Sequence, residues 1–319
     1  MENEYQQLTY EQRCQIFILK KTGLSQRAIA NEIGVDQSTI SRELRRNAGD
    51  RGYRFKQAQQ FSTARRQAAC KPSKLTPAMT GLLDEKLALE WSPEQISGWL
   101  KRVKGKHLSH ESIYLYVWRD KQLGGTLYTH LRRQGKKYNK RRNGKSTRGQ
   151  IKNRICITER PAIVDERSRL GDWEIDTVIG KGHKGALVTI VERATQKLLC
   201  AKVSGKTEKE VTRATIKLLK PYKDFVHTIT ADNGKEFSGH EKISKALDTN
   251  VFFAHPYSSW ERALNENTNG LLRQYFPKDT NLAEISESSV IHAVHRLNTR
   301  PRKTLEFKTP NQLWIEMAA

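Results

Sequence analysis

The sequence predicts a multidomain protein: an all-α front half followed by an α/β back half built on a mixed five-stranded sheet. Three observations predict it. Apolar residues at helical spacing, with caps and turn glycines, run through residues 8–46 and again through 91–120. Between Arg132 and Arg154 lie eleven Lys and Arg and no Asp or Glu. From about Gly171 the apolar period changes to short strand-like runs. At 319 residues the chain has room for two or three domains and at least one sizeable core.

The first helix of the front half starts at Thr9, a cap, carries Ile16, Phe17 and Leu19 inward, and stops at Gly23. Ser25 caps a second helix bearing Ala28, Ile29, Ala30 and Ile33, and Gly34 makes the turn. A third runs from about Asp36 to Arg46 with Ile40 and Leu44 inward. The small Ala30 lets two helices cross closely and Ile40 locks the pair, which is a helix-turn-helix. Gln37, Ser38, Thr39, Arg42, Arg45 and Arg46 then face a major groove and its phosphates, against the plainer reading of a helical hairpin with a solvated basic face. In WSPEQISGWLK, Ser92 caps, Pro93 takes the first helical position and Gln95 closes a capping box; Ser109 caps HESIYLYVWRD, with Ile113, Tyr116 and Val117 on one face. This is a second helix-turn-helix-like unit, or a helical dimerisation or linker domain, and its aromatics read as core.

The domain boundaries read as 1–50, 51–131, a basic linker over 132–158, and 159–319. The linker cannot bury enough apolar area to offset its ordering entropy, so it reads as a flexible strap that neutralises phosphates without reading sequence. Deleting residues 134–148 should flatten the salt dependence of DNA affinity; an unaltered slope would make the strap a spacer.

Charge agrees with this layout. The net charge is +23, and residues 1–154 carry 32 Lys and Arg against 13 Asp and Glu, whereas residues 155–319 carry 25 against 21. A polyanion is the expected partner of the front half. No long apolar run, basic amphipathic helix or lipidation signal points to a membrane, and the polar, acidic start MENEYQQLTYEQ is no signal peptide. Cys14, Cys70, Cys156 and Cys200 are too dispersed for a zinc knuckle or redox pair and read as reduced cytosolic thiols.

In the back half WEIDTVIG, GALVTIVER and KLLCAKV are strands. A helix follows over about 207–219, VHTITAD is a buried strand ending at Asp232, a helix covers roughly 239–247, NVFFAHPY is another strand, and ERALNENTNGLLRQYF enters a helix. The order β-β-β-α-β-α-β-α describes an RNase H-like fold, in which the first and fourth strands are neighbours. Asp176 and Asp232 then meet at adjacent strand positions, and Glu266, separated from Asp232 by thirty-three residues, arrives on a helix. Such carboxylates suit hard cations, and two Mg²⁺ about 3.5–4 Å apart can activate a nucleophilic oxygen and relieve charge on a leaving one. Asp172, Glu174, Glu236 and Glu261 are rival acids nearby. His183, His240 and His255 lack the paired spacing of a zinc site, no Ser/His/Asp arrangement is present, and no phosphate-cradling Gly-rich loop suggests ATP.

Over nearly its whole length the sequence resembles DDE transposases of the insertion-sequence-30 family. The matching stretches are GLSQRAIANEIGVDQSTISRELRRN, WSPEQISGWL, RSRLGDWEIDTVIGKGHKGALVTIVER, DNGKEF, FAHPYSSWERALNENTNGLLRQYFPK and RLNTRPRKTLEFKTP. The resemblance maps the family's three metal-binding acids onto Asp176, Asp232 and Glu266, and its basic residue seven positions on onto Arg273, two helical turns from Glu266 and placed to contact a terminal phosphate. Ile175 stands where the family pattern leads one to expect Gly. The resemblance implies two Mg²⁺ ions with Mn²⁺ able to substitute, and recognition of terminal inverted repeats. It also implies hydrolysis by a metal-activated water at the element end, then direct attack of the freed 3′-hydroxyl on another phosphodiester. The implied partners are double-stranded DNA, as inverted repeats and target, and further copies of the chain in a synaptic complex. A bacterial cytoplasm with nucleoid association is the implied location, with no membrane and no small-molecule substrate. A repeat-binding repressor and a nuclease that cuts without joining are the competing classes. The intact acid set speaks against the first, and the long stretches around DNGKEF and NENTNGL against the second.

Overall fold

The computed structural model describes residues 7–69, 74–132, 151–256 and 258–319. The chain divides into two compact units, Met1–Lys74 and Leu75–Ala319. Most of the basic linker predicted from sequence, residues 133–150, lies outside the described residues.

The first unit contains α1 (Tyr10–Lys21), α2 (Gln26–Ile33) and α3 (Gln37–Asn47). Thr9 and Gln12 form a full capping box on α1, Ser25 caps α2, and Asp36 caps α3. Gly34 adopts the left-handed conformation at φ 73°, which a residue with a Cβ rarely accepts, and so turns the chain tightly into α3. Ile16, Ile29, Ala30 and Ile40 are buried together. Two features are not apparent from the sequence: a two-rung hairpin of β1 (Ala48–Gly49) and β2 (Gly52–Tyr53), and α4 (Phe55–Ala68), which packs on α1 and α3. This unit therefore runs to Lys74, past the boundary at residue 50 read from sequence. Arg13 ties it together: its guanidinium donates to Glu43 at 2.9 Å, to Gln59 of α4 at 2.8 Å and to Ser62 at 3.2 Å, and Tyr53 donates to the same Glu43 carboxylate at 3.1 Å.

The second unit opens with α5 (Pro77–Ala88), α6 (Pro93–Lys104) and α7 (His110–Gln122), with the predicted Ser92–Gln95 capping box and Ser109 cap in place. Their core is Leu83, Leu87, Ile96, Leu100, Ile113 and Val117. Trp91 packs edge-on against Trp99 within it, whereas Tyr114 and Trp118 of α7 stay partly exposed. These helices rest on the end of the chain. Phe307 fills the space beside Gly98, where an added Cβ would fall 2.2 Å from its ring, and Glu90 pairs with Arg300 at 3.4 Å.

A six-stranded mixed sheet follows. Its strands are β3 (Ile155–Cys156), β4 (Asp172–Ile179), β5 (Ala186–Glu192), β6 (Leu198–Val203), β7 (Thr228–Ala231) and β8 (Asn250–Phe253), in the order β3-β8-β7-β4-β5-β6. β4, β5 and β6 pair antiparallel, while β4, β7, β8 and β3 pair parallel. The five long-expected strands stand in the RNase H-like arrangement. The five-strand count is corrected to six because Ile155 and Cys156, within the last residues of the predicted 132–158 linker, add a short edge to β8. The helices are α8 (Ile163–Glu166), α9 (Glu208–Leu219), α10 (His240–Leu247), α11 (Ala263–Leu272), α12 (Glu287–Asn298) and α13 (Pro310–Ala318).

Side-chain alternation sorts the two faces. Trp173, Ile175, Val188, Ile190 and Ile229 pack with α9, α10 and Trp314 of α13 on one side. Val178, Leu187, Val191 and Leu198 pack with α11 and α12 on the other. Ile175, at the position where Gly was expected, is simply core. Among the described residues no helix is long and apolar enough to cross a membrane.

Candidate active site

Parity along the strands decides where the acids go. With Trp173 and Ile175 committed to the α9–α10 face, Glu174 and Asp176 point to the α11 face. β4 and β7 run parallel in a register that pairs Glu174 with Thr230, so Asp232, just past β7, comes level with Asp176. The sequence-predicted neighbours do meet, and one group joins them. The Arg262 guanidinium lies with Nη1 3.6 Å from Asp176 Oδ2 and Nη2 3.3 Å from Asp232 Oδ2.

Each carboxylate is also held by local donors. Asp176 accepts from the Thr177 amide at 2.8 Å and from Asn269 Nδ2 at 3.0 Å. Asn269 is oriented in turn by the buried Thr189, whose hydroxyl donates to its Oδ1 at 2.9 Å. Asp232 accepts from the Gly234 amide at 2.8 Å, the Asx turn announced by Asp232-Asn233-Gly234. Glu266 sits in the first turn of α11, where the helix dipole favours an acid. Glu266, Asn269 and Arg273 follow one another at helical spacing, and with Asp176 and Arg262 they line a cleft of about 560 Å³. Arg273 is half-buried at the end of α11 and braces the site from below, donating to the Ile179 carbonyl of β4 at 2.8 Å.

The rival acids are all taken up elsewhere. Asp172 accepts two bonds from Arg169, at 2.9 and 3.0 Å, and one from Thr228. Glu174 pairs with buried Arg193 and accepts the Asn265 amide at 3.1 Å, so it caps α11 and pins that helix to β4. Glu236 is buried against Lys206 at 2.8 Å, and Glu261 pairs with His255 at 2.7 Å. The histidines have structural partners as well: His240 meets the Asn153 carbonyl at 3.2 Å and packs edge-on against Phe253.

Burial pushes the Asp176 carboxyl up to about 6; Arg262 opposes that rise, while Asp232 adds to it. An acid whose folded pKa lies above its unfolded one holds its proton better when folded. The cost to stability is therefore absent below about pH 4, grows between pH 4 and 6, and is complete above that. Asp176→Asn should stabilise the unloaded protein at pH 7.5 by about 1–2 kcal/mol, a figure reduced for partial exposure and for the lost Arg262 contact. Urea melts at pH 7.5 and 4 test this, and an equal gain at both would remove the carboxylate charge as its source.

The donor set is all oxygen and anionic, which suits a hard divalent cation rather than zinc or copper. Yet among the described residues no three His, Cys, Asp or Glu side chains converge into a ready-made metal cage. The site's chemistry fits a metal, with a guanidinium now standing between two of the carboxylates.

The nucleic-acid candidates of the first unit lie together on α3. Gln37, Ser38, Arg42, Arg45 and Arg46 are exposed and Thr39 is half-buried. Arg42 Nε folds back onto the Ser38 carbonyl at 3.1 Å. Arg42 and Arg46 share a cleft of about 340 Å³ with Arg65 and Arg66 of α4, two cations that the reading of residues 8–46 left out. Sequence reasoning also missed Arg262 and Thr189. Arg262 lies one helical turn before Glu266, and Thr189 is the lone hydroxyl in the apolar run ALVTIVE, so both left a signal.

Comparison with known proteins adds independent findings. The helix-turn-helix domain family matches residues 4–47. The chain is 45% identical over 308 residues to the transposase for insertion sequence element IS4351 of Bacteroides fragilis, covering 96% of this chain and 94% of that one. It is 37% identical to the transposase for insertion sequence element IS1086 of Cupriavidus metallidurans, over 99% and 96% of the two chains. It is likewise 37% identical to the transposase InsI for insertion sequence element IS30A of Escherichia coli, over 96% and 82%. Among solved structures, the catalytic core domain of BIV integrase aligns at 20% identity and a TM-score of 0.36, covering 46% of this chain and 93% of that one.

Proposed function

Because this chain belongs to the insertion-sequence-30 family of DDE transposases, we propose that Asp176, Asp232 and Glu266 are its catalytic acids and Arg273 their basic partner, in a site that cuts and joins DNA at the ends of a mobile element. The observation that carries the assignment is the sorting of the acids. Of seven candidates, four are committed to caps or ion pairs with other segments, while Asp176 and Asp232 share the Arg262 guanidinium and Asp176 lines the same cleft as Glu266.

When bound there, divalent cations, two Mg²⁺ in this reading, would supply Lewis-acid charge for an attacking and a leaving oxygen. The chain's own groups do the rest. Asp176 offers oxygens from within β4 and Asp232 from just past β7, and Glu266 approaches from α11, whose seat is fixed by Glu174. Asn269, held by Thr189, keeps one Asp176 oxygen turned toward the cleft. Arg273 places a cation at the lower wall, where the phosphate of a DNA end would lie. Water and a terminal 3′-hydroxyl serve in turn as nucleophile, so no side chain needs to bond covalently to DNA.

In the same reading the α3 residues Gln37, Ser38, Thr39, Arg42, Arg45 and Arg46 recognise terminal inverted repeats, and two copies of the chain hold two ends together. Arg42→Ala should weaken binding to the cognate repeat by about 1–3 kcal/mol if it reads a base. Dissociation constants across a panel of point-substituted repeats check this, and an unchanged preference profile would confine Arg42 to phosphate contact.

The test of the function itself is incubation of the full chain with DNA carrying candidate ends and Mg²⁺, followed by mapping of products. Cut and joined strands are expected. Cutting without joining would make the protein a nuclease, and binding without cutting a repeat-bound repressor.

A further inference from the structure

Two carboxylates side by side, one within β4 and one just past β7, repel, and each is three-quarters or more buried, with side-chain exposures of 22% and 23%. Something positive must sit between them whenever a metal does not. Arg262 is that group. Its planar fork reaches one carboxylate with each terminal nitrogen, at 3.6 and 3.3 Å, and Nη1 also donates to the Ile175 carbonyl at 3.3 Å. Neither ion-pair distance is short, and the Nε, fully buried, has no hydrogen-bond partner among the described residues. The guanidinium is thus placed by charge more than by a saturated set of hydrogen bonds.

Resting on the catalytic reading above, we infer that Arg262 is an internal counter-cation that occupies the metal position in the unloaded enzyme and must leave before a divalent ion can enter. Size alone forces the exchange. A Mg²⁺-sized ion needs carboxylate oxygens at about 2.1 Å and keeps several waters, and a guanidinium within 4 Å of both acids fills that volume. The exit is present. Arg262 lines the same 560 Å³ cleft as Glu266 and Arg273, so a side-chain rotation carries it from the carboxylates to the wall where DNA phosphate would lie. It starts from the last residue before α11, just where a short 3₁₀ turn over Ser259–Arg262 gives way to helix, and no strand pairing holds it there. The exchange also accounts for the lack of a three-acid cage among the described residues: the pair is set around a guanidinium, and Glu266 completes the ligand set only after the guanidinium moves.

Arg262 acts through Asp176 and Asp232, which makes it a positioning residue, and metal affinity is the quantity that reports on it. Full-length, metal-free protein would be titrated with Mn²⁺ by calorimetry without DNA, comparing wild type with Arg262→Gln, Arg262→Lys and Asp232→Asn. Arg262→Gln should bind Mn²⁺ roughly tenfold more tightly, the worth of one partly exposed charge contact no longer displaced. Arg262→Lys, whose ammonium lacks the fork, should fall between the two. In the absence of metal Arg262→Gln should melt below wild type, and saturating Mn²⁺ should close the gap. Mn²⁺ binding by Arg262→Gln that equals or falls below wild type, with far-ultraviolet circular dichroism unchanged, overturns the exchange. Should Arg262→Gln fail to fold, Arg262→Lys binding no tighter than wild type does the same. Asp232→Asn separates the two levels: its loss of Mn²⁺ binding upholds the carboxylate site whatever Arg262 does, whereas wild-type binding removes the site and the exchange with it.

Discussion

Glu266→Gln should abolish metal-dependent cleavage, by at least about 10²-fold, while leaving repeat binding intact. The amide keeps the volume and half of the hydrogen-bonding capacity of the acid but not its charge. Glu266 lies in the first turn of α11, and the helix is held from outside that residue, by Glu174 on the Asn265 amide and by the buried Leu264, Leu271 and Leu272. The substitution should therefore leave the fold untouched, and its effect should be on chemistry alone. Gel-mobility binding to repeat DNA and single-turnover cleavage with Mg²⁺ and with Mn²⁺ separate the two. Cleavage at the wild-type rate would remove Glu266 from the acid set and leave Asp176 and Asp232 in need of another partner.

The second large effect lies in the other unit. Glu43→Ala should destabilise residues 7–69 by about 3–5 kcal/mol, because it strands the Arg13 guanidinium in an interior that offers no replacement anion. Small domains hold only about 5–15 kcal/mol in total, so the helix-turn-helix unit would be largely lost at growth temperature. Arg13 connects Glu43 on α3 to Gln59 and Ser62 on α4, and Tyr53 of the hairpin closes on the same carboxylate. The Arg13–Glu43 pair thus joins α1, α3, α4 and the hairpin. Amide hydrogen exchange on the full chain should show collapse of protection confined to α1–α4, with the sheet of the second unit unaffected. Pairing Glu43→Leu with Arg13→Met should restore much of the loss, since two apolar side chains carry no desolvation penalty. Protection that survives Glu43→Ala would show that the apolar cluster of Ile16, Ile29 and Ile40 is sufficient without the ion pair.

Much of the fold is legible in the sequence because its signals are local. Thr9, Ser25, Ser92, Ser109 and Thr207 cap helices through bonds to amides three residues away, and Gly34 supplies a conformation its neighbours cannot. The apolar, β-branched run that makes β5 a strand and the turn after Asp232 are each written in a few contiguous residues. Where the evidence is not local, the reading stops short. The apolar content of α4 is modest, and only contacts distant in sequence assign that helix to the first unit: Ala58 in the core, Phe55 against Tyr10 and Phe17, and Arg13 reaching Gln59 and Ser62. A two-residue edge such as β3 carries no periodicity at all.

The candidate site divides in the same way. The sequence by itself determined which residues carry carboxylates at strand ends and on the following helix, because strand period and helix spacing are properties of contiguous residues. It ranked Asp176 above Glu174 and Asp232 above Glu236 only by position along the chain and by resemblance, with no view of what each acid contacts. Only the tertiary structure decided which cation reaches each acid, bringing Arg193 to Glu174, Lys206 to Glu236 and Arg262 to Asp176 and Asp232, and that sorting supports the proposed assignment. The reason is physical: a carboxylate's role follows from which cation reaches it, and those cations come from segments far away in the chain.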